Sequence, residues 1–182
     1  MTADERETDK VETEGRNTEK RDADRFETDE SGSYSRFLTN GCLCCKEGAK
    51  MVLFVTGICP RDCFFCPLSA QRKNKDVVFA NEQIILSDAD ILKQARGMDA
   101  KGTGITGGEP LLKYDRVLHY ITLLKNEFGK KHHIHLYTSM APPDSMLQGM
   151  AAAGLDEIRF HPPHEEWEKL EGSEYEKSIF AA

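Results

Sequence analysis

The sequence predicts an α/β fold in which about four βα units wind a parallel sheet toward a barrel. Three observations carry that prediction: short apolar runs recur along the chain, a stretch with helical spacing follows each, and glycines close the helical stretches. Strand-then-helix units in series make a parallel sheet with helices packed outside it, and right-handed crossovers curl such a sheet toward a barrel. With 182 residues, 39% of them hydrophobic, the chain is long enough for one domain with a proper core.

The acidic N-terminus stands apart. Residues 1–30 hold twelve Asp or Glu against six Lys or Arg, so this stretch accounts for −6 of the formal charge of −7. So polar a segment cannot bury enough apolar surface to offset the entropy of ordering, and residues 1–33 are expected to form a disordered tail. A cysteine-containing lead-in spans 34–50, and the core spans 51–182. The remaining charge is close to neutral, which gives no case for an extended nucleic-acid surface. No apolar stretch resembles a secretory signal or reaches the ~20 residues of a membrane span, so a cytoplasmic location without a membrane is expected.

Within the core, MVLFV at 51–55 reads as a buried strand. Residues 56–80, with two prolines, Cys59, Cys63, Cys66 and the basic residues Arg72, Lys73 and Lys75, have the composition of a solvated loop. Helical spacing over 86–100 follows, with Ser87 as N-cap. A strand over 102–106 ends at Gly107-Gly108-Glu109-Pro110. A helix over 114–128 is stopped by Gly129, and a strand follows over 133–139. A helix over 143–153 is stopped by Gly154. A strand over 155–160 and a last helix over 165–180 complete the series.

Alternation in the last two strands fixes which face each residue takes. Ile134 and Leu136 are apolar and belong against the helices, which turns His133, His135 and Tyr137 to the inner face. By the same test Ile158 and Phe160 point outward, and Arg159 and His161 inward. An inner face so polar suits a cavity better than a packed barrel interior.

The chemistry concentrates in Cys59-Pro-Arg-Asp-Cys63-Phe-Phe-Cys66, a C-x3-C-x2-C triplet directly after a strand. In a reducing compartment such cysteines are metal ligands or catalytic thiols rather than a disulfide framework. Three thiolates this close can hold three corners of a cubane cluster and leave one iron open to another ligand. A structural zinc site is the competing reading, and it needs a fourth ligand. Glycines at 107 and 108 permit close approach of backbone to a ligand, and Glu109 can accept hydrogen bonds from an ammonium group. A second group, Cys42, Cys44 and Cys45, precedes the first strand and is a candidate auxiliary metal site whose fourth ligand the sequence does not reveal.

The triplet, with aromatic Phe65 before its third cysteine, resembles the cluster motif of the radical SAM superfamily, and Gly107-Gly108-Glu109-Pro110 resembles that family's GGE motif. The resemblance implies a [4Fe-4S] cluster on Cys59, Cys63 and Cys66. It also implies S-adenosylmethionine bound with help from Gly107, Gly108 and Glu109, Phe65 near the adenine, and His161 as a candidate ribose or substrate contact. The activity implied is reductive cleavage of S-adenosylmethionine to a 5′-deoxyadenosyl radical, which takes hydrogen from an unknown substrate. A low-potential electron donor is the implied partner. Within the family the chain is loosely similar to proteins related to the pyruvate formate-lyase activating enzyme.

The family's core is a partial barrel of six βα units. At ~31 residues per unit, the 132 residues from Met51 to Ala182 supply about four. A C-terminal truncation, or a second polypeptide that completes the barrel, is therefore expected. Two alternatives to the enzyme are an iron-sulfur protein without catalysis and a zinc-stabilised interaction module.

Overall fold

The computed structural model describes residues 27–28, 34–35 and 38–182. Most of the acidic segment 1–33 lies outside them. In the segment before Asn40, taken by itself, β1 (Glu27–Thr28) pairs antiparallel with β2 (Tyr34–Ser35).

From Asn40 onward the chain folds around one open sheet of six strands in the order β5-β4-β3-β6-β7-β8. Four strands are parallel: β3 (Lys50–Phe54), β6 (Gly102–Thr106), β7 (His133–Thr138) and β8 (Glu157–Phe160). Their connections carry the helices α2 (Asp88–Gly97), α3 (Tyr114–Phe128) and α4 (Asp144–Ala153), and α5 (Glu174–Ala181) follows β8. The result is a partial β/α barrel of four units, as the apolar runs foretell. A short helix, α1 (Asn40–Lys46), precedes β3 and carries Cys42, Cys44 and Cys45.

Each boundary has a local cause. At the start of α2 the Asp90 carboxylate accepts from the Ser87 N–H at 2.9 Å and the Ser87 hydroxyl at 3.0 Å, which closes the first turn. Gly129 and Gly154 end α3 and α4 with φ of +77° and +108°, values that residues with a Cβ rarely adopt. In α3 the buried residues Val117, Tyr120, Ile121 and Leu124 repeat at i, i+3, i+4 and i+7, so one stripe faces the sheet. It meets Met51, Leu53, Val55, Ile105, Ile134 and Leu136 from the helix-facing side of the strands, all fully buried. Burying side chains of this size contributes about 1.5–3 kcal/mol each.

Two expectations need correction. The stretch over 56–80 is not all loop: Phe79–Ala80 (β4) and Gln83–Ile84 (β5) form a hairpin that adds antiparallel strands beside β3. Asn81 makes the turn with φ of +53°, and its N–H and side-chain oxygen both bond the backbone of Val52. Strands of two residues are too short for alternation to reveal them. The helix expected over 165–180 is broken. A 3-10 turn over His164–Lys169 is followed by Gly172 at φ +72°, and α5 starts only after Ser173, whose hydroxyl oxygen accepts from the Glu176 N–H.

The inner face has the composition expected of it. In register, Lys50, Gly102 and His133 form one row, and Val52, Gly104, His135 and Glu157 the next. Tyr137 contacts His135 and His161 edge to face, with ring centroids 5.1 and 5.3 Å apart, and its hydroxyl accepts from Arg159 at 2.5 Å. Part of this face is closed rather than open: His135 is 2% exposed. Burial, joined by the nearby Lys50 and Arg159 charges, holds its imidazole down to about 3, so the ring is neutral.

Candidate functional site

Beyond the C-terminal ends of the parallel strands lies a cavity of about 550 Å³. This is where open α/β sheets hold their ligands. Cys59, Cys63 and Cys66 all line it, together with Phe65, Gly107, Gly108, Ser139 and His161. The two motifs that the sequence separates by forty residues therefore share one wall.

Backbone packing explains how. The stem of the cysteine loop, Thr56–Ile58, lies directly on the Gly-Gly-Glu turn: Gly108 N–H donates to Thr56 O at 2.7 Å and Glu109 N–H to Ile58 O at 2.9 Å. A Cβ on Gly107 would stand 2.6 Å from Thr56 O, and one on Gly108 would stand 2.5 Å from Ile58 O. Close approach is thus required here between two stretches of protein backbone, besides whatever ligand fills the cavity. On its other side the stem is tied by Gly57 N–H to Lys75 O at 2.8 Å and by Asn74 N–H to Gly57 O at 2.9 Å.

Glu109 is fully buried, and its carboxylate is held at the junction of β6 and β7. Oε1 accepts from Leu111 N–H at 3.1 Å and Thr138 Oγ1 at 2.8 Å. Oε2 accepts from Ser139 N–H and Ser139 Oγ, both at 2.7 Å. Four donors fill the four lone-pair directions of a carboxylate. Ser139 is held from the other side by the Tyr175 hydroxyl, which donates to its carbonyl at 2.6 Å and accepts from Arg61 of the cysteine loop at 3.4 Å. A chain of contacts thus runs from α5 through Ser139 to Glu109. Sequence reasoning missed Arg61 and Tyr175, because nothing in a lone Arg or Tyr marks it as a buttress.

Asp76 anchors the exit of β3. Its carboxylate accepts from Thr56 Oγ1 at 3.0 Å and from Arg116 at 2.6 and 3.2 Å, and pairs with Lys113 at 2.9 Å. Arg116 also donates to Val55 O at 2.9 Å. These partners, Arg116 first and Lys113 next, hold the carboxyl well below the usual carboxylate range. A depressed pKa contributes stability above about pH 4 that is lost as the pH falls toward the folded-state value. Asp76→Asn is therefore expected to lower stability by about 1–2 kcal/mol at pH 7, the carboxylate's one-third exposure tempering the charge term. The difference between the two proteins should shrink progressively below pH 4 in urea melts.

The thiols have the chemistry a cluster asks for. Burial pushes the Cys59 thiol up, and the neighbouring Glu109, Cys63 and Cys66 charges push the same way, so bound cations would offset the cost of three thiolates. Three thiols in one loop can each take a different iron of a cubane, whereas a single structural zinc at the same loop would need a fourth donor.

Phe65 is half-exposed on the cavity wall, and His161 sits at its edge. Of the basic loop residues, Arg72 stacks over Phe79 at 4.2 Å and pairs with Glu82, while Lys73 lines the cavity and pairs with Asp62 at 2.9 Å. Cys42, Cys44 and Cys45 lie on α1 and are not among the residues lining this cavity.

An open β/α sheet with a cysteine loop braced on a Gly-Gly-Glu turn defines a class, and the comparison with known families gives the same one. Residues 53–164 match the profile of the Radical SAM superfamily, and the chain belongs to it. Among curated proteins it is 46% identical over 129 residues to a candidate glycyl-radical enzyme activating enzyme of Methanocaldococcus jannaschii. That match takes in 69% of this chain and 33% of the relative, so the chain spans about a third of the relative's length. No solved structure gives a significant match. Among the described residues no helix is long and apolar enough to cross a membrane.

Proposed function

We propose that this chain binds a [4Fe-4S] cluster through Cys59, Cys63 and Cys66 and holds S-adenosylmethionine in the adjoining cavity. The observation that carries the reading is the meeting of all three thiols with Gly107 and Gly108 on one cavity wall. The cluster, when bound, supplies the electron that cleaves S-adenosylmethionine to methionine and a 5′-deoxyadenosyl radical for hydrogen abstraction. The protein's part is to position and to exclude water. Gly107 and Gly108 present backbone to the methionine end, Phe65 offers a ring face to the adenine, and His161 is poised for the ribose or the substrate. Glu109 serves the cofactor through the wall it holds, since Ser139, which lines the cavity, is fixed by its carboxylate.

The name of the relative favours a glycyl residue of a partner protein as the hydrogen donor, and the electron that the cleavage consumes makes a low-potential reductant the second partner of this reading, which we place in the cytoplasm. Exposed Phe64 and Trp167 give the cavity region an apolar surface suited to a protein partner.

Anaerobic reconstitution tests the proposal. The expected result is about four irons per chain and reductant-dependent 5′-deoxyadenosine from S-adenosylmethionine. Iron without cleavage would reduce the chain to an iron-sulfur protein, and zinc at these thiols in place of iron would overturn the reading.

A further inference from the structure

A second constellation lies on the inner face of the sheet, toward the N-terminal ends of the strands and away from the cavity. His133 and His135 are two residues apart on β7, so both rings project from one face. Glu157 of β8 pairs in register with His135 and joins them. One ligand-capable atom from each of the three lies within 4.8 Å of the others. His133 Nε2 is 3.4 Å from Glu157 Oε2. His135 is almost wholly buried, yet its Nδ1 has no hydrogen-bond partner. A buried polar nitrogen left unpaired costs about 1–3 kcal/mol, so it calls for an explanation.

Helix α1 roofs this set. A Cβ on Gly41 would lie 2.7 Å from His135 Nδ1, 2.8 Å from Glu157 Oε2 and 2.7 Å from Arg159 Nη2. The lone ring nitrogen, the carboxylate and the Arg159 guanidinium thus converge beneath Gly41, where no side chain comes between them and α1. The next residue is Cys42, whose Sγ accepts from Arg159 Nη2 at 3.4 Å. Glycine matters on the strands as well: a Cβ on Gly104 would stand 2.6 Å from His135 Nε2, so the ring fits only above a residue with no side chain.

We propose that His133, His135 and Glu157 bind a zinc ion beneath α1, with the Cys42 thiolate as fourth donor. Two imidazoles, a carboxylate and a thiolate are a donor set for a borderline-soft ion of tetrahedral preference, and a poor one for calcium or magnesium. Charge decides that a thiolate is needed. Lys50 Nζ approaches His133 Nδ1 at 2.8 Å, and Arg159 Nε donates to Glu157 Oε1 at 2.5 Å. One carboxylate leaves a divalent ion half neutralised with Arg159 beside it, whereas a carboxylate and a thiolate neutralise the ion itself. Arg159 then serves as the outer donor that orients Glu157, and Lys50, as a neutral amine, accepts from the His133 Nδ1–H. Zinc replaces the proton on His133 Nε2 and the thiol proton of Cys42, while the Lys50 ammonium passes one proton to His133 Nδ1 so that the ligating ring stays neutral, and two protons in all leave to solvent.

The test counts zinc on the full chain after anaerobic iron loading, with micromolar Zn²⁺ as the probe and elemental analysis as the readout. One zinc per chain in addition to iron is expected. His135→Ala and Gly41→Ala, the second of which fills the site without removing a ligand, should each weaken zinc binding by about 100-fold or more, beyond the upper end of outer-partner effects. Iron content and circular dichroism should not change. Zinc-edge absorption of the unaltered chain provides a readout that no folding defect can confuse, and imidazole scattering in the zinc shell is expected. The absence of bound zinc, an all-sulfur shell, or undiminished zinc in both variants would overturn the proposal. Failure to load iron bears on the cluster and leaves this readout intact.

Discussion

Gly57→Ala is expected to lower stability by about 3 kcal/mol, the upper end of overpacking penalties, and to abolish iron loading. The added methyl would lie 1.7 Å from Arg72 O, 2.7 Å from Arg72 C and 2.8 Å from Lys75 O. All three are backbone atoms, so no side-chain rotation relieves the clash. Nor can the facing segment simply withdraw, because Gly57 bonds to Lys75 and Asn74 through its own N–H and C=O. Opening that pair shifts the stem on which Cys59 sits two residues later, and the stem is also what braces Gly108 and Glu109. Gly97→Ala is the matched control: nothing lies within 4 Å of a Cβ there, at the end of α2. Denaturant midpoints and iron per chain measured on both variants make the comparison. If Gly57→Ala melted and loaded like Gly97→Ala, the stem would not position the cysteines.

What was legible in the chain follows from how locally each feature is encoded. The four parallel strands and α2 to α4 could be read because their apolar residues repeat with a fixed period and their ends carry Ser87, Gly129 or Gly154. The inner-face assignment of His133, His135, Tyr137 and Arg159 needed only alternation. The β4–β5 hairpin escaped because four strand residues give no period, although Asn81 was a turn signal. The break before α5 was written in Gly172-Ser173, and helical composition on either side concealed it.

Site residues divide the same way. Cys59, Cys63 and Cys66 declare themselves by spacing. The bracing by Thr56, Asp76, Arg116 and Tyr175 depends on contacts between distant segments that no spacing encodes. The candidate metal ligands facing α1 belong to this second kind: β7 supplies two, and register with β8 brings the third.

Glu109→Gln should cost about 3 kcal/mol while conserving the shape of the side chain. The carboxylate accepts four hydrogen bonds in full burial, two of them from the backbone N–H groups of Leu111 and Ser139. An amide offers one oxygen and one NH2. The hydroxyls of Thr138 and Ser139 can turn and accept from the NH2, but a backbone N–H cannot, so in either orientation of the amide one buried N–H faces another donor. The cost of that unpaired group, about 1–3 kcal/mol and more where a charged acceptor is lost, sets the magnitude. Where the loss appears distinguishes the two roles open to this glutamate. If it touched S-adenosylmethionine directly, the variant would fold normally and bind the cofactor more weakly. If it holds the β6–β7 junction, the denaturant midpoint should fall, and Ser139→Ala should be coupled to it in a double-mutant cycle. The saturated carboxylate favours the second outcome, with weaker cofactor binding as a consequence of the displaced wall.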